Sequence, residues 1–266
     1  MKNFEILFYA SICSLLLAFS CNQKNLSEGL KTEDKPKVLF ICSNVAEVNG
    51  HKNGTFLSEI AVPFVMLNEK GFDIDIVSPQ GGPIPIYYKF DTTELIQKAL
   101  DSEIYHQKIS NTLLPYQVKS ENYKAIVIPG GYGQFWDIHE NPEINTIISE
   151  IYENDGIIGS LGHGTSSLVN VRLSNGEYLV KNKTLTCFPS WFEKEIMFEA
   201  DYGRLLTFDM EEELENRGAN LLKVDKETRS NGEIVDTKNR LITASSATGG
   251  EFIANEIIKI IESNKK

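Results

Sequence analysis

The segment Gly156-Ile-Ile-Gly-Ser-Leu-Gly-His-Gly-Thr165 joins a short apolar run to a turn rich in glycine. Its first six residues predict a buried strand, because an uninterrupted run of this length is typical of a strand covered on both faces. A tight turn between such a strand and a helix holds one side chain above the sheet, near the positive end of the helix dipole. Residues 159–164 therefore have the layout of a nucleophile elbow.

Strands and helices alternate along the chain on both sides of this segment. Apolar runs predict further strands at 37–43, 72–77, 125–128, 184–188, 219–224 and 240–243. Apolar residues at helical spacing predict helices at 56–70, 92–100, 141–154, 208–217 and 250–262. The polar residues 101–120 receive no assignment. This alternation predicts an α/β domain with a doubly wound, mostly parallel sheet, helices on both faces and a site at the carboxyl ends of the strands.

The first 21 residues have a character of their own. An apolar run at about 6–19 follows Lys2 and leads to Ser20-Cys21. The run is shorter than the roughly 20 residues that cross a bilayer as a helix, so it indicates a secretory signal. Ser20-Cys21 resembles a bacterial lipobox, although Ala18 stands where leucine is usual. We expect Cys21 to be acylated and the chain to be a periplasm-facing lipoprotein of the bacterial cell envelope, with ordinary secretion as the alternative.

The rest of the chain divides at about residue 36. Residues 22–36 are polar and carry charges of both signs, which predicts a flexible tether to the membrane. Residues 37–266 have the length of one α/β domain. The formal net charge is −11, and it survives removal of residues 1–21 because Lys2 and Glu5 cancel. Nucleic acid is therefore not an expected partner.

Two of the four cysteines remain in the mature domain if Cys13 leaves with the signal and Cys21 takes lipid. In an oxidising compartment Cys42 and Cys187 could form a disulfide with each other or remain free thiols. Nothing in the sequence brings their Cα atoms together, so we favour two buried free thiols.

Three histidines outside the elbow are too scattered to indicate a metal site. They are His51, His106 and His139, and no two of them are four residues apart. Two histidines on one face of a helix need that spacing to bind zinc together. We predict neither a metal nor a cofactor.

Five ordered blocks of sequence resemble one family. They are Asn53-Gly-Thr-Phe-Leu-Ser-Glu-Ile-Ala-Val-Pro-Phe64, Ser78-Pro-Gln-Gly-Gly-Pro-Ile-Pro85, Pro129-Gly-Gly-Tyr-Gly133, Gly162-His-Gly164 and Leu241-Ile-Thr243. Their order resembles the PfpI/glyoxalase III superfamily, which is class I glutamine amidotransferase-like and includes deglycases and heat-shock chaperones. The resemblance runs from residue 37 to the last helix. It implies a flavodoxin-like fold and chemistry on α-oxoaldehydes such as methylglyoxal.

The resemblance also assigns roles at the elbow. In the family this turn reads Cys-His-Gly, and its cysteine attacks the aldehyde to form a hemithioacetal. By resemblance, His163 is the adjacent base, Glu59 is the carboxyl group beside the thiol, and the amides of Gly130 and Gly131 are oxyanion donors. Here Gly162 replaces the cysteine, so the side chain that makes the covalent bond is absent.

Two further positions depart from the family pattern. Tyr132 stands where the glycine loop often carries histidine, and we place it with Gly130, Gly131 and Gly162 in the predicted pocket. The third, acidic member of the site is expected shortly after the strand at 184–188. Glu193 is the closest carboxylate to that position.

Two functional hypotheses follow. The first is a non-catalytic relative that binds a small carbonyl compound, a metabolite or a partner protein in the old pocket. The second is an active glyoxalase III, deglycase or hydrolase that works through another residue, for which Cys187 is one candidate. Relatives of this type commonly dimerise, so the resemblance also implies a homodimer.

Overall fold

The computed structural model describes residues 35–87, 93–197 and 206–263. The strands in these residues are β1 (Lys37–Ile41), β2 (Glu47–Val48), β3 (His51–Lys52), β4 (Thr55–Phe56), β5 (Asp73–Val77), β6 (Ile86–Tyr87), β7 (Tyr123–Ile128), β8 (Ile157–Leu161), β9 (Thr184–Leu185), β10 (Asn220–Leu221), β11 (Glu233–Asp236) and β12 (Leu241–Ala244). The longer helices are α1 (Leu57–Glu69), α2 (Glu94–Leu100), α3 (Glu103–Ser110), α4 (Pro142–Glu153), α5 (Met210–Asn216) and α6 (Gly250–Ser263).

A six-stranded sheet forms the centre of the domain, in the order β11–β12–β8–β7–β1–β5. Every neighbouring pair is parallel except β11 and β12, which are antiparallel. The predicted doubly wound, mostly parallel sheet is therefore confirmed. Because the five parallel strands run the same way, their carboxyl ends meet at one edge of the sheet, where the loops that follow them come together.

Both faces of the sheet are covered because its strands bury both sets of alternating side chains. In β1, Val38 and Phe40 belong to a core cluster with residues of α1 and α6. Leu39 and Ile41 belong to a second cluster, with residues of α4 and α5. All four side chains have 0% exposure. Burial of each stabilises the fold by roughly 1.5–3 kcal/mol, so β1 contributes to two layers at once.

The structure corrects several predicted elements. The strands predicted at 184–188 and 219–224 are reduced to β9 and β10, which pair with each other outside the main sheet. The unassigned residues 101–120 contain α3, whose first turn is capped by the Ser102 side chain. Strand β11 was not predicted, because it lies at the sheet edge and is only partly buried, which weakens the apolar signal.

The signal segment, Cys21 and most of the tether lie in residues 1–34, outside the described residues. Within the described ranges, no helix combines the length and apolar character that a membrane span requires. Cys42 and Cys187 are both buried and unpaired, so the prediction of two free thiols is confirmed.

Candidate functional site

Gly162 lies at the apex of the predicted elbow. β8 leads into Leu161 in an extended conformation (φ −125°, ψ 135°), Gly162 has a φ of +50°, and the helical turn Gly162–Leu168 follows. That φ is in the left-handed region, where a side chain costs about 1 kcal/mol or more. The predicted sequence of strand, tight turn and helix is therefore confirmed.

Glu59 on α1 presents its carboxyl group to this apex. A Cβ added to Gly162 would lie 3.2 Å from Oε1 of Glu59 and 3.4 Å from Oε2. The side chain is buried, and its Oε2 accepts a hydrogen bond from the Gly130 N–H at 2.6 Å. Burial raises the pKa of Glu59 from an ordinary 4.5 to about 7, although the Gly130 N–H and the charge of His163 act in the opposite direction. The group therefore changes charge near neutral pH.

His163, the residue after the apex, pairs with a different carboxylate. Its Nε2 is hydrogen-bonded to Oε1 of Glu193, and both side chains are buried. The Tyr132 hydroxyl donates to Oε2 of Glu193 at 3.3 Å, and its ring lies 4.5 Å from the imidazole. The Phe188 ring is also 4.5 Å away. Since neither ring tilts more than 35° from the imidazole plane, both pack against the imidazole and restrict its rotation away from Glu193.

The glycine loop after β7 fits closely against the elbow and against β4. A Cβ on Gly130 would lie 2.6 Å from Oε2 of Glu59, and a Cβ on Gly131 would lie 2.1 Å from the backbone oxygen of Gly54. Both positions therefore require glycine. The Gly130 amide donates to Oε2 of Glu59, so its predicted role as an oxyanion donor, which stays a prediction, would require this hydrogen bond to be given up. The donor role of Gly131 stays a prediction.

A cavity of about 230 Å³ adjoins His163 and Glu193. The other side chains that line it are those of Phe135, Phe188, Ser190, Lys194, Leu206, Thr207, Phe208, Asp209 and Met210. Lys194 Nζ lies 2.6 Å from Oδ2 of Asp209, so this pair interrupts a largely apolar wall in addition to His163 and Glu193. Neither Glu59 nor Gly162 is among the described residues that line this cavity. His163 is the residue of the elbow that faces it.

Cys187 does not supply a thiol to this cavity. It is 2% exposed and packs in the core cluster that contains Met210 and Leu214. Burial and, after it, the negative charge of Glu211 raise the pKa of the Cys187 thiol well above its ordinary value. Phe188, its neighbour in sequence, lines the cavity instead. The suggestion that Cys187 replaces the elbow nucleophile finds no support in this arrangement.

Several aromatic side chains of the site were not predicted from the sequence. Phe135, Phe188 and Phe208 form much of the cavity wall. An aromatic residue close to a predicted strand is usually part of the core, so its type alone carries no sign of a ligand site. For Phe188, the available signal was its place in the segment Thr186-Cys-Phe188, which resembles a Thr-Gly-Phe segment of the family.

Gln134 is a further residue that the sequence did not identify. Its Nε2 donates to the Pro129 carbonyl at 2.8 Å, and its Oε1 accepts from the Ser167 hydroxyl at 2.8 Å. The side chain is 1% exposed. These two buried hydrogen bonds connect the glycine loop after β7 to the helical turn of the elbow, and they hold the two parts of the site in register.

Comparison with known proteins gives a consistent result. The DJ-1/PfpI family model matches residues 51–260. The protein/nucleic acid deglycase HchA of Staphylococcus aureus strain MSSA476 is 26% identical over 258 residues, which cover 88% of this chain and 84% of that protein. The glutathione-independent glyoxalase hsp3102 of Schizosaccharomyces pombe is 22% identical over 153 residues, 53% of this chain. The chain spans 62% of the length of that relative.

A solved structure extends the likeness to three dimensions. The Rapid Encystment Protein 24 KDa of Francisella tularensis superposes with a TM-score of 0.73 at 27% identity. The superposition covers 84% of this chain and 98% of that one. The mostly parallel sheet, the elbow after β8, the glycine loop after β7 and the family match over residues 51–260 agree with one another, and they show that this chain belongs to the DJ-1/PfpI family.

Proposed function

We propose that this chain binds a small carbonyl compound or a related metabolite beside its elbow, without the thiol chemistry of an elbow cysteine. Gly162 is the observation that carries the proposal. Covalent attack on a carbonyl carbon needs a nucleophilic atom at the apex of the elbow, and glycine offers only hydrogen there. Cys187, the next cysteine along the chain after the elbow, is buried in the core.

The cavity beside His163 supports the binding part of this proposal. Its aromatic and aliphatic wall suits a small ligand, and the His163–Glu193 pair gives one polar contact that would orient it. Glu59 does not line the cavity, so it would contact only a ligand that extends from the cavity to Gly162. Below its pKa of about 7 it carries a proton that it could donate to an oxygen of such a ligand.

A second candidate is an enzyme of glyoxalase or deglycase type that works by proton transfer alone. The observation that favours it is the raised pKa of Glu59, about 7, since a general acid or base is most effective when its pKa is near the operating pH. The activities after which hsp3102 and HchA are named belong to those proteins. We extend them to this chain only as this second proposal.

Methylglyoxal consumption by the purified protein separates the two candidates. We expect the wild type to be no faster than a heat-inactivated sample. Gly162→Cys places a thiol beside Glu59 and should exceed the wild type by about 10-fold or more, which corresponds to about 1.4 kcal/mol of transition-state stabilisation. Gly162→Ser is the matched control, because it adds a side chain of similar shape without the thiol.

The outcomes are distinct. Wild-type turnover that survives in Cys187→Ser contradicts the non-catalytic proposal and supports the second candidate, and Glu59→Gln should then abolish it. Wild-type turnover that disappears in Cys187→Ser reveals a relocated nucleophile and contradicts both. The binding part is tested by titration calorimetry with hydroxyacetone, a small carbonyl compound without an aldehyde. The absence of any saturable heat would reject it.

A further inference from the structure

The wall of the cavity beside His163 is mainly aromatic. Among the described side chains that line it, the apolar ones are those of Phe135, Phe188, Leu206, Phe208 and Met210. The ring centroids of Phe135 and Phe208 lie 4.9 Å apart, so these two rings form one continuous surface. Aromatic rings pack well against other aromatic rings in offset or edge-to-face arrangements. The wall is therefore suited to a ligand that contains a ring.

Part of this apolar wall is left uncovered by the other described residues. Phe188, Leu206 and Phe208 are only half-buried, whereas Phe135 and Met210 are buried. Apolar surface that a ligand removes from water contributes favourably to binding, roughly in proportion to its area. The half-buried side chains therefore favour a ligand with an apolar group that covers them.

The volume of the cavity indicates how large that apolar group is. A cavity of about 150 Å³ lined by leucine, isoleucine and phenylalanine side chains holds one benzene molecule. The cavity beside His163 measures about 230 Å³, so it has room for a benzene ring and a short substituent. Methylglyoxal is smaller than benzene and would leave much of this volume unfilled. Side chains that border unfilled space lose dispersion contacts, so a small aliphatic ligand fits less well.

The aromatic wall and the polar end of the cavity lie next to each other. The ring centroid of Phe188 is 4.5 Å from that of the His163 imidazole, and the ring centroid of Phe135 is 5.7 Å from it. In an aryl ketone or aryl aldehyde, the carbonyl carbon is bonded directly to the ring. A ligand of this type would therefore place its ring against the phenylalanines and its oxygen beside the pair of His163 and Glu193.

The charged groups of the wall favour a neutral ligand. Glu193 is hydrogen-bonded to His163, and the carboxylate of Asp209 pairs with the ammonium group of Lys194. Each basic group of the described wall therefore already has a carboxylate partner, and a ligand carboxylate would have to compete with it. The formal net charge of the chain, −11, also disfavours an anion.

We propose that the ligand of this cavity is a neutral aryl ketone or aryl aldehyde. This rests on the proposed function, because it names the class of carbonyl compound that the same cavity binds. The aryl ring packs against Phe135, Phe188 and Phe208, and the oxygen end of the ligand meets His163 and Glu193. Aliphatic carbonyl compounds of the size of methylglyoxal bind more weakly, since they leave the aromatic wall uncovered.

Titration calorimetry with two matched ketones tests the ligand class. Hydroxyacetone and 2-hydroxyacetophenone share one hydroxyketone group and differ in that a phenyl ring replaces a methyl group. We expect 2-hydroxyacetophenone to bind about 10-fold more tightly or better, and the anion phenylglyoxylate to bind more weakly than it. If hydroxyacetone or phenylglyoxylate binds as tightly as 2-hydroxyacetophenone, the neutral aryl class is overturned while the proposed function stands. If neither ketone gives saturable heat, both are rejected.

Substitutions in the wall test where the aryl ring lies. Leu206→Trp fills part of the cavity and should weaken binding of 2-hydroxyacetophenone about 10-fold or more. Phe208→Ala removes part of the aromatic wall and should weaken it too. Leu222→Trp is the matched control and should bind as the wild type does, because Leu222 is 38% exposed and is not among the residues that line the cavity. Circular dichroism checks that each variant is folded. Unchanged binding in folded Leu206→Trp or Phe208→Ala would overturn the proposal.

Discussion

At the scale of single residues, Glu59 and Gly162 act as one unit. The buried carboxyl of Glu59 faces the place where a side chain on residue 162 would stand, and its other contact is the Gly130 N–H. With glycine at the apex, no side chain at position 162 contacts that carboxyl. Burial is the largest influence on the pKa of Glu59, and it favours the neutral form.

This arrangement predicts a dependence of stability on pH. Between about pH 4.5 and 7 the unfolded chain has released the Glu59 proton while the folded chain retains it, so raising the pH favours unfolding. Above about pH 7 Glu59 is ionised in both the folded and the unfolded chain, and the free energy of unfolding falls no further on its account. A shift from 4.5 to about 7 corresponds to about 3 kcal/mol. In Glu59→Gln this loss is absent, so the difference in free energy of unfolding between wild type and variant should change by about that amount across the window.

Urea denaturation at pH 4.5, 6, 7 and 8, followed by circular dichroism, measures this difference. Glu121→Gln is the matched control, because Glu121 is exposed and its substitution should leave the pH profile of the wild type unchanged. A difference between wild type and Glu59→Gln that is constant from pH 4.5 to 8 would show that Glu59 titrates at its ordinary pKa in the folded chain.

At the scale of elements, the site depends on how closely the loop after β7 approaches β4 and the elbow. Gly131 has a φ of +137° and lies against the backbone of Gly54, so neither its conformation nor its surroundings admit a side chain. The loop is held from the other side by Gln134, which bonds to Pro129 and Ser167. Displacement of this loop would therefore move Tyr132 away from His163.

Two glycine substitutions separate conformation from close approach. Gly131→Ala should lower the free energy of unfolding by about 3 kcal/mol or more, since its Cβ would lie 2.1 Å from a backbone oxygen. Gly176→Ala is the control: its φ is also positive, at +81°, but its Cβ would meet nothing within 4 Å, so the loss should be about 1 kcal/mol. Urea midpoints measure both, and equal losses would contradict the close contact.

The elements of the sheet could be predicted from the sequence, whereas much of the cavity could not. Strands β1, β7 and β8 are continuous apolar runs, and burial on both faces gives that pattern directly. The antiparallel strand β11 escaped prediction because an edge strand is only partly buried. Phe188 and Phe208 escaped notice for a different reason: their role depends on which segments meet in space, and local spacing does not encode that.

At the scale of the whole molecule, residues 1–36 differ in composition from the domain that follows them. We propose that the chain is exported and anchored through lipid on Cys21, because the apolar run ends at Ser20-Cys21 and a polar stretch follows. Residues 1–34 precede the part of the chain that the structure describes. The proposal therefore depends on sequence alone.

Globomycin, an inhibitor of the lipoprotein signal peptidase, tests this proposal in the producing bacterium. We expect the unprocessed precursor to accumulate under the drug, and Cys21→Ser to block labelling by a radioactive fatty acid. Cys13→Ser is the matched control and should be processed and labelled normally, since Cys13 lies within the apolar run. Normal processing in the presence of globomycin would favour ordinary secretion.

The two buried thiols have a consequence for following the protein's motions. Cys42 belongs to the cluster under α1 and α6, and Cys187 to the cluster under α4 and α5, so among the described residues each layer contains one sulfhydryl. Burial raises the pKa of Cys42 to about 12 and that of Cys187 well above its ordinary value, so neither reacts with an alkylating reagent while its layer is closed. The rates at which iodoacetamide modifies the two cysteines, read peptide by peptide in a mass spectrometer, therefore report how often each side of the sheet is transiently uncovered.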